Sequence, residues 1–598
     1  MSTPAEAAIA LTDSTSTFIV RAWRELLDPR SPDTYRARAL NPFAMLDELV
    51  KVAEFAQGDA KWLSHVHSIC AEIAEESTAF SRLPLPASAK GAFELLGKST
   101  NARQEDLGRV RDGALLVKDL CGDPLATLFE HVRTLVGTDM REKSEFLRSL
   151  GHIATHAHRS GLAETSQAAL ATFDSSRPPM DALSALQAAL DPMQRNFQCF
   201  LAVSGDQSNI DSLLAGSEFE RVGASRFDRS QLALTWHADL PAHHVIEVAA
   251  SDRSPRMAAE ASLARFQAML NVLALYANAA DYRIADVVLV EDAADFMLVD
   301  VSPEKHFGLF PRQGYIKTTR NRIRKVGDRL DGRIANSLGA HALGISATDP
   351  RAALSHFWTS LEALVGPGLG NIGQRVATSI APVVTFMRTH RIVVYLALQV
   401  KRTVEARGLR LDKDLMPAST AGHVAREDVL SCLTGVKDNA GIVHLLDVCS
   451  TNPLVIHHLY RAWQELSAPA VLSKALRRSE KRVTWQLLRV YRARNLFVHK
   501  GEHDELVWRL LESAQSYISF ALGRLLNDLD EHPTWSIDMA MEFNRQQFER
   551  VCDALQHGAK CKLTTLDLLP HITQLGRDVP LWGPASRFGA APALRPET

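Results

Sequence analysis

Residues 471–495 constrain this chain more than any other stretch. They place Lys474, Arg477, Arg478, Lys481, Arg482, Arg489, Arg492 and Arg494 among apolar residues at three-to-four spacing, with no proline or glycine inside the run. Such a pattern folds as one long amphipathic helix with a basic face, about 37 Å long at ~1.5 Å per residue. It leads into Tyr491-Arg492-Ala493-Arg494-Asn495-Leu496-Phe497-Val498-His499-Lys500 and stops at Gly501. Two guanidinium groups, an amide and an imidazole therefore fall within about two helical turns. That is a set for holding phosphate, with a proton carrier attached.

The same periodicity recurs along most of the chain, which makes the expected fold class mainly α. Residues 1–190 read as a helical N-terminal region, as in Phe43, Leu46, Leu49 and Val50, or Leu115, Leu116 and Leu120. Residues 195–310 change character. Runs at 198–203, 232–236, 244–248, 285–290 and 296–300 read as strands beside one helix at 257–276, a small α/β or α+β module. No catalytic motif stands out in it. Residues 315–530 return to helices, with a less periodic insertion at about 405–465. Residues 531–598 read as one or two helices and a disordered Pro/Gly/Ala-rich tail.

A chain of 598 residues is sized for about four domains at roughly 150 residues each. Its net charge of -2 excludes a global basic field, so any nucleic-acid contact comes from a local patch. The seven cysteines are odd in number and none are spaced as CxxC, the usage of reduced thiols in a cytoplasmic protein. No basic stretch followed by an apolar one opens the chain, so no signal peptide is expected. No apolar run approaches the ~18 residues of a membrane span; residues 392–400 form the longest and lie between Arg391 and Lys401.

Three other stretches carry residue types that could do chemistry. His152, His156 and His158 lack a nearby fourth ligand, so they read as a polar helix face rather than a metal site. Gly368, Gly370 and Gly373 spell GxGxxG, but a helix precedes them instead of a strand, which makes a helix-to-helix turn. No cofactor is expected. Residues 317–333 are densely basic and read as a solvated linker helix or as a groove for a phosphate backbone.

Upstream, Asp349-Pro350 starts a helix with an N-cap and a first-turn proline. Its stripe is Leu354, Phe357, Trp358, Leu361, Leu364 and Val365, with Glu362 alongside; a carboxylate buried there needs a cationic partner. Downstream, Asp504 is placed to cap the next helix. Alone, an Arg followed within four to six residues by His is weak. Arg351 with His356 and Arg550 with His557 match it too, and Arg492 as well as Arg494 is in range of His499.

Taken together, the Trp/Leu/Glu helix and the later Arg494-Asn495…His499 helix resemble HEPN domains, most closely the ApeA-like group. The resemblance covers about residues 315–530, and the insertion at 405–465 departs from it. It implies a C-terminal HEPN-like helical bundle and a metal-independent endoribonuclease, often a toxin or antiphage effector that cuts RNA, commonly tRNA. Arg494 and His499 are then catalytic, Asn495 is the motif's polar residue, and Glu362 buttresses the arginine. Tyr491, Arg492 and Lys500 are expected to touch substrate. The chemistry fits without the family: an imidazole near neutrality serves as base for a 2′-hydroxyl, and guanidinium matches phosphate oxygens. One His lacks a matching acid, so a homodimer that pairs two motifs is expected. The bland alternative is a helix end with solvated basic residues and a histidine that caps carbonyls.

Overall fold

The computed structural model describes residues 16–27, 41–136, 143–191, 194–239, 244–273, 282–293, 295–301, 332–347, 349–420, 422–434, 439–500 and 507–556. The chain divides into two compact units. One joins Met1–Thr155, Ser175–Met180 and Gly308–Thr598; the other is His156–Asp174 with Asp181–Phe307. The N-terminal helices thus belong with the C-terminal ones.

The N-terminal part of the first unit comprises α1 (Ser16–Leu27), α2 (Pro42–Gly58), α3 (Leu63–Phe80), α4 (Ala87–Lys98), α5 (Leu107–Cys121), α6 (Pro124–Thr134) and most of α7 (Lys143–Arg159). Asn41 caps α2 by accepting from the Ala44 amide at 2.7 Å, and Pro42 occupies the first turn. Helices α2 to α5 pack around Phe43, Leu46, Leu49, Ile69, Ile73, Phe80 and Phe93, all buried. Phe80 and Phe93 stack with ring centroids 3.8 Å apart.

The second unit contains α8 (Ala163–Ala171), most of α9 (Pro179–Leu190), β1 (Arg195–Ser204), α10 (Gln207–Leu214), β2 (Glu220–Val222), α11 (Gln231–Ala238), β3 (His244–Asp252), α12 (Pro255–Leu273), β4 (Arg283–Ile284), β5 (Val287–Asp292) and β6 (Asp295–Asp300). Its sheet runs β2-β3-β1-β5-β6, with β4 paired to β1, and every pairing is antiparallel. Phe197, Cys199, Leu201 and Val203 of β1 pack on α12 through Ala258, Ala259, Phe266 and Leu270. Phe200 and Ala202 face Phe227, Ala233 and Trp236. Both faces are covered, which explains the nearly unbroken apolar run in β1. Residues 232–236, expected as a strand, are instead helix α11. Ser230 caps it by accepting from Ala233 N at 3.3 Å, and Ala233 and Trp236 fall three apart on its buried side. A five-residue apolar run carries too few periods to separate the two geometries locally.

The rest of the first unit is α13 (Gly332–Ser346), α14 (Pro350–Val365), α15 (Ile372–Arg407), α16 (Arg426–Thr434), α17 (Ala440–Val448), α18 (Pro453–Leu466), α19 (Pro469–Lys500), α20 (Val507–Glu531) and α21 (Ile537–Gln556). Residues 405–465 contain α16, α17 and nearly all of α18. Val429, Leu433, Ile442, Leu445, Ile456 and Leu459 share one core with Val393 and Val400 of α15, Leu472 of α19 and Phe548 of α21. Helix α1 joins this part through Glu25, which accepts from Tyr395 Oη at 2.5 Å and sits 2.7 Å from His458 Nε2. Most of the basic stretch 317–333, Asp504 and everything beyond Gln556 lie outside the described residues. Among the described residues no helix is long and apolar enough to cross a membrane.

Candidate functional site

Helix α14 begins as its sequence dictates: Asp349 accepts from the Arg351 amide at 2.9 Å, Pro350 follows, and Gly366 ends it with φ +71°. Leu354, Phe357, Trp358, Leu361 and Leu364 are buried, and Val365 is half-buried. Trp358 Nε1 donates to Glu362 Oε1 at 2.6 Å. Glu362 thus meets an indole N–H where the sequence suggested a cation, and a neutral donor satisfies a half-buried carboxylate without a second buried charge.

The Trp358 ring lies 5.0 Å from Tyr491, and Tyr491 lies 5.6 Å from His65 of α3. Tyr491 is half-buried and packs between two elements. Its ring also explains Gly373, the last glycine of the GxGxxG string. A Cβ at that position would come within 2.4 Å of Tyr491 Cδ1. The string links α14 to α15, a turn between helices.

Helix α19 is unbroken to Lys500. Its described motif residues have divergent fates. Arg494 is half-buried; its Nη1 donates to Asn495 Oδ1 at 3.0 Å, while its Nε is buried with no hydrogen-bond partner among the described residues. Phe497 carries the Arg351 guanidinium 5.4 Å from its ring centroid. Val498 is 48% exposed. His499 and Lys500 complete the helix, and their side chains lie outside the described residues.

Arg492 is only 3% exposed and donates through Nε to Glu48 Oε1 at 3.1 Å. Arg489 donates to Glu48 at 3.0 Å, Glu72 at 2.5 Å and the Gln486 side-chain oxygen at 3.0 Å. Sequence reasoning assigned Arg492 to substrate and did not identify Glu48, Glu72 or His65. Burial opposes ionisation of Glu48, but Arg489 and Arg492 overcome it and hold the carboxyl at about 2. Burial, aided by the charge of Arg492, depresses His65 to about 3, so it is neutral at pH 7. Burial raises the Glu72 carboxyl despite the pull of Arg489. Further along α19, Arg478 and Arg482 meet Glu75 and Glu76, and Arg477 meets Glu549. The acidic side was faintly legible: Glu72, Glu75 and Glu76 are spaced for one helix face.

His152, His156 and His158 all lie on α7. Among the described residues no group of three or more His, Cys, Asp or Glu side chains is arranged to hold a metal ion.

No family model, curated protein or solved structure matches this chain. A functional reading therefore rests on the chain's own residues: Arg494, Asn495 and His499 at the end of α19, with Trp358 and Glu362 on α14 beside it.

Proposed function

We propose that this protein is a metal-independent endoribonuclease of HEPN type, active in the cytoplasm as a toxin or antiphage effector. The observation that carries the reading is the contrast between two arginines. Arg492 is buried on Glu48, whereas Arg494 is half-buried beside Asn495, five residues before His499 on a continuous helix. Of the two, Arg494 is the one left half-buried and outside the Glu48 ion pairs.

The reaction needs no group beyond these side chains and RNA. The 2′-hydroxyl attacks the adjacent phosphorus, its proton passes to an imidazole, the P–O5′ bond breaks, and O5′ takes a proton from an acid. The products are a 2′,3′-cyclic phosphate and a 5′-hydroxyl. Arg494 offsets charge on the equatorial oxygens. Five residues along a regular helix separate Arg494 and His499 by about 140° around the axis and ~7.5 Å along it. The absence of a break in α19 favours a cleft shared by two copies, in which each supplies one His499, as base and as acid.

In a total-RNA digest, Arg494→Ala and His499→Ala should each lower the cleavage rate by about 10²- to 10⁴-fold with folding retained. Wild-type rates in both variants would overturn the assignment. A second reading, a non-catalytic HEPN-type module that dimerises and holds RNA or nucleotide, draws on a different fact. Arg477, Arg478, Arg482, Arg489 and Arg492 all stand in ion pairs, which removes much of the helix's cationic face from substrate. RNA binding without cleavage in the wild type would favour it.

A further inference from the structure

Arg478, Arg482, Arg489 and Arg492 fall within about 80° of arc on α19 and span ~21 Å of its length. Opposite them, α2 and α3 present Glu48, Glu72, Glu75 and Glu76. The rungs measure 3.6 Å for Arg478–Glu75, 3.4 Å for Arg482–Glu76 and 2.5 Å for Arg489–Glu72, and Glu48 closes the row on Arg489 and Arg492. Exposure falls along the row: Arg478 is 62% exposed, Arg482 31% and Arg489 2%. The inner rungs anchor; in the outer ones the arginines border solvent, while Glu75 is 24% exposed and Glu76 6%.

The seam is imperfectly satisfied. Glu72 Oε1, Glu75 Oε1, Arg482 Nε and Arg492 Nη1 are buried without a hydrogen-bond partner among the described residues. Buried charges left partly unpaired carry their desolvation cost in full. Opening the outer rungs returns hydrated charge to water rather than apolar surface. Guanidinium forks donate to phosphate oxygens in the same geometry as to carboxylate oxygens.

We propose that Glu75 and Glu76 are intramolecular competitors that occupy Arg478 and Arg482 in place of RNA phosphates, so that the N-terminal bundle limits RNA affinity at α19. This rests on the reading that RNA is the partner. Strands that displace the two carboxylates gain two phosphate contacts, and the inner Glu48–Arg489–Glu72 rungs keep the bundle attached.

The test uses the full chain and a labelled oligouridylate in salt-dependent binding. Glu75→Gln with Glu76→Gln should tighten binding about tenfold. It should also steepen the slope of log affinity against log salt by about 1.4, at ~0.7 per phosphate contact for single strands. Adding Arg478→Gln and Arg482→Gln should erase the gain. Glu94→Gln with Glu105→Gln removes the same charge from exposed positions elsewhere and should change affinity less than twofold. Unchanged affinity, a gain that survives loss of the two arginines, or an equal gain in the control would each overturn the proposal. If the double variant unfolds, Glu75→Gln alone decides, because its partner Arg478 is largely exposed; about threefold tighter binding is expected, and none refutes. Cleavage followed in parallel separates the two ideas. Cleavage lost in His499→Ala, with binding indifferent to Glu75 and Glu76, sinks only the competitor. Responsive binding without cleavage sinks only the nuclease.

Discussion

Glu48→Gln strips one charge from the inner rung, leaves Arg489 with Glu72 and removes the carboxylate that Arg492 meets. Glu48 is 12% exposed and both arginines are nearly sealed, so solvent does little to compensate. The gap between an ordinary 4.5 and the held value of about 2 corresponds to about 3–4 kcal/mol, at ~1.4 kcal/mol per pH unit. That matches the ~3–5 kcal/mol typical of breaking a buried pair by removing one partner. Urea unfolding at pH 7, followed at the transition of the first unit, should show this loss with an unchanged denaturant slope. Because the folded carboxyl titrates below its unfolded value, its contribution is complete above pH 4.5 and disappears as the pH falls towards 2. Wild type and variant should therefore converge on acidification through that window. Adding Arg492→Met should recover part of the loss, since the second charge no longer stands unpaired. A difference under ~0.5 kcal/mol at neutral pH, or one that persists unchanged into acid, would refute the account of this seam.

Three further outcomes follow from the same packing. Gly373→Ala should destabilise by about 1–3 kcal/mol in thermal melts, because Tyr491 is held between Trp358 and His65 and the new Cβ meets its ring; stabilisation would show that the ring moves freely. Trp358→Phe keeps most of the apolar contact but removes the donor to Glu362, at a cost of about 1–3 kcal/mol, read by the same melts; no shift in melting would mean that the carboxylate finds water. His65, held at about 3, favours the folded state most when neutral, so its contribution should be complete above pH 6.5 and decline as the pH falls from 6.5 towards 3; a His65→Phe variant should lack that slope in pH-dependent unfolding.

Local periodicity by itself determined the helices: α14 with its Asp349-Pro350 start, α19 through its motif, and the antiparallel module as a break between helical regions. It also set which residue types fall at the end of α19, because Arg494, Asn495 and His499 are neighbours along the chain. Residues 232–236 escaped it, since a short apolar run fits two backbone geometries. What only the tertiary structure decided is the fate of the charges. Glu48 and Arg489 are 441 residues apart in sequence, and nothing in the sequence around either names the other. Helix propensity acts over a few residues, whereas a buried ion pair is fixed only when packed helices exclude the water between them. That is why Arg492 and Arg494, two positions apart on one basic helix and alike in the sequence, end as a sealed structural cation and a half-exposed one.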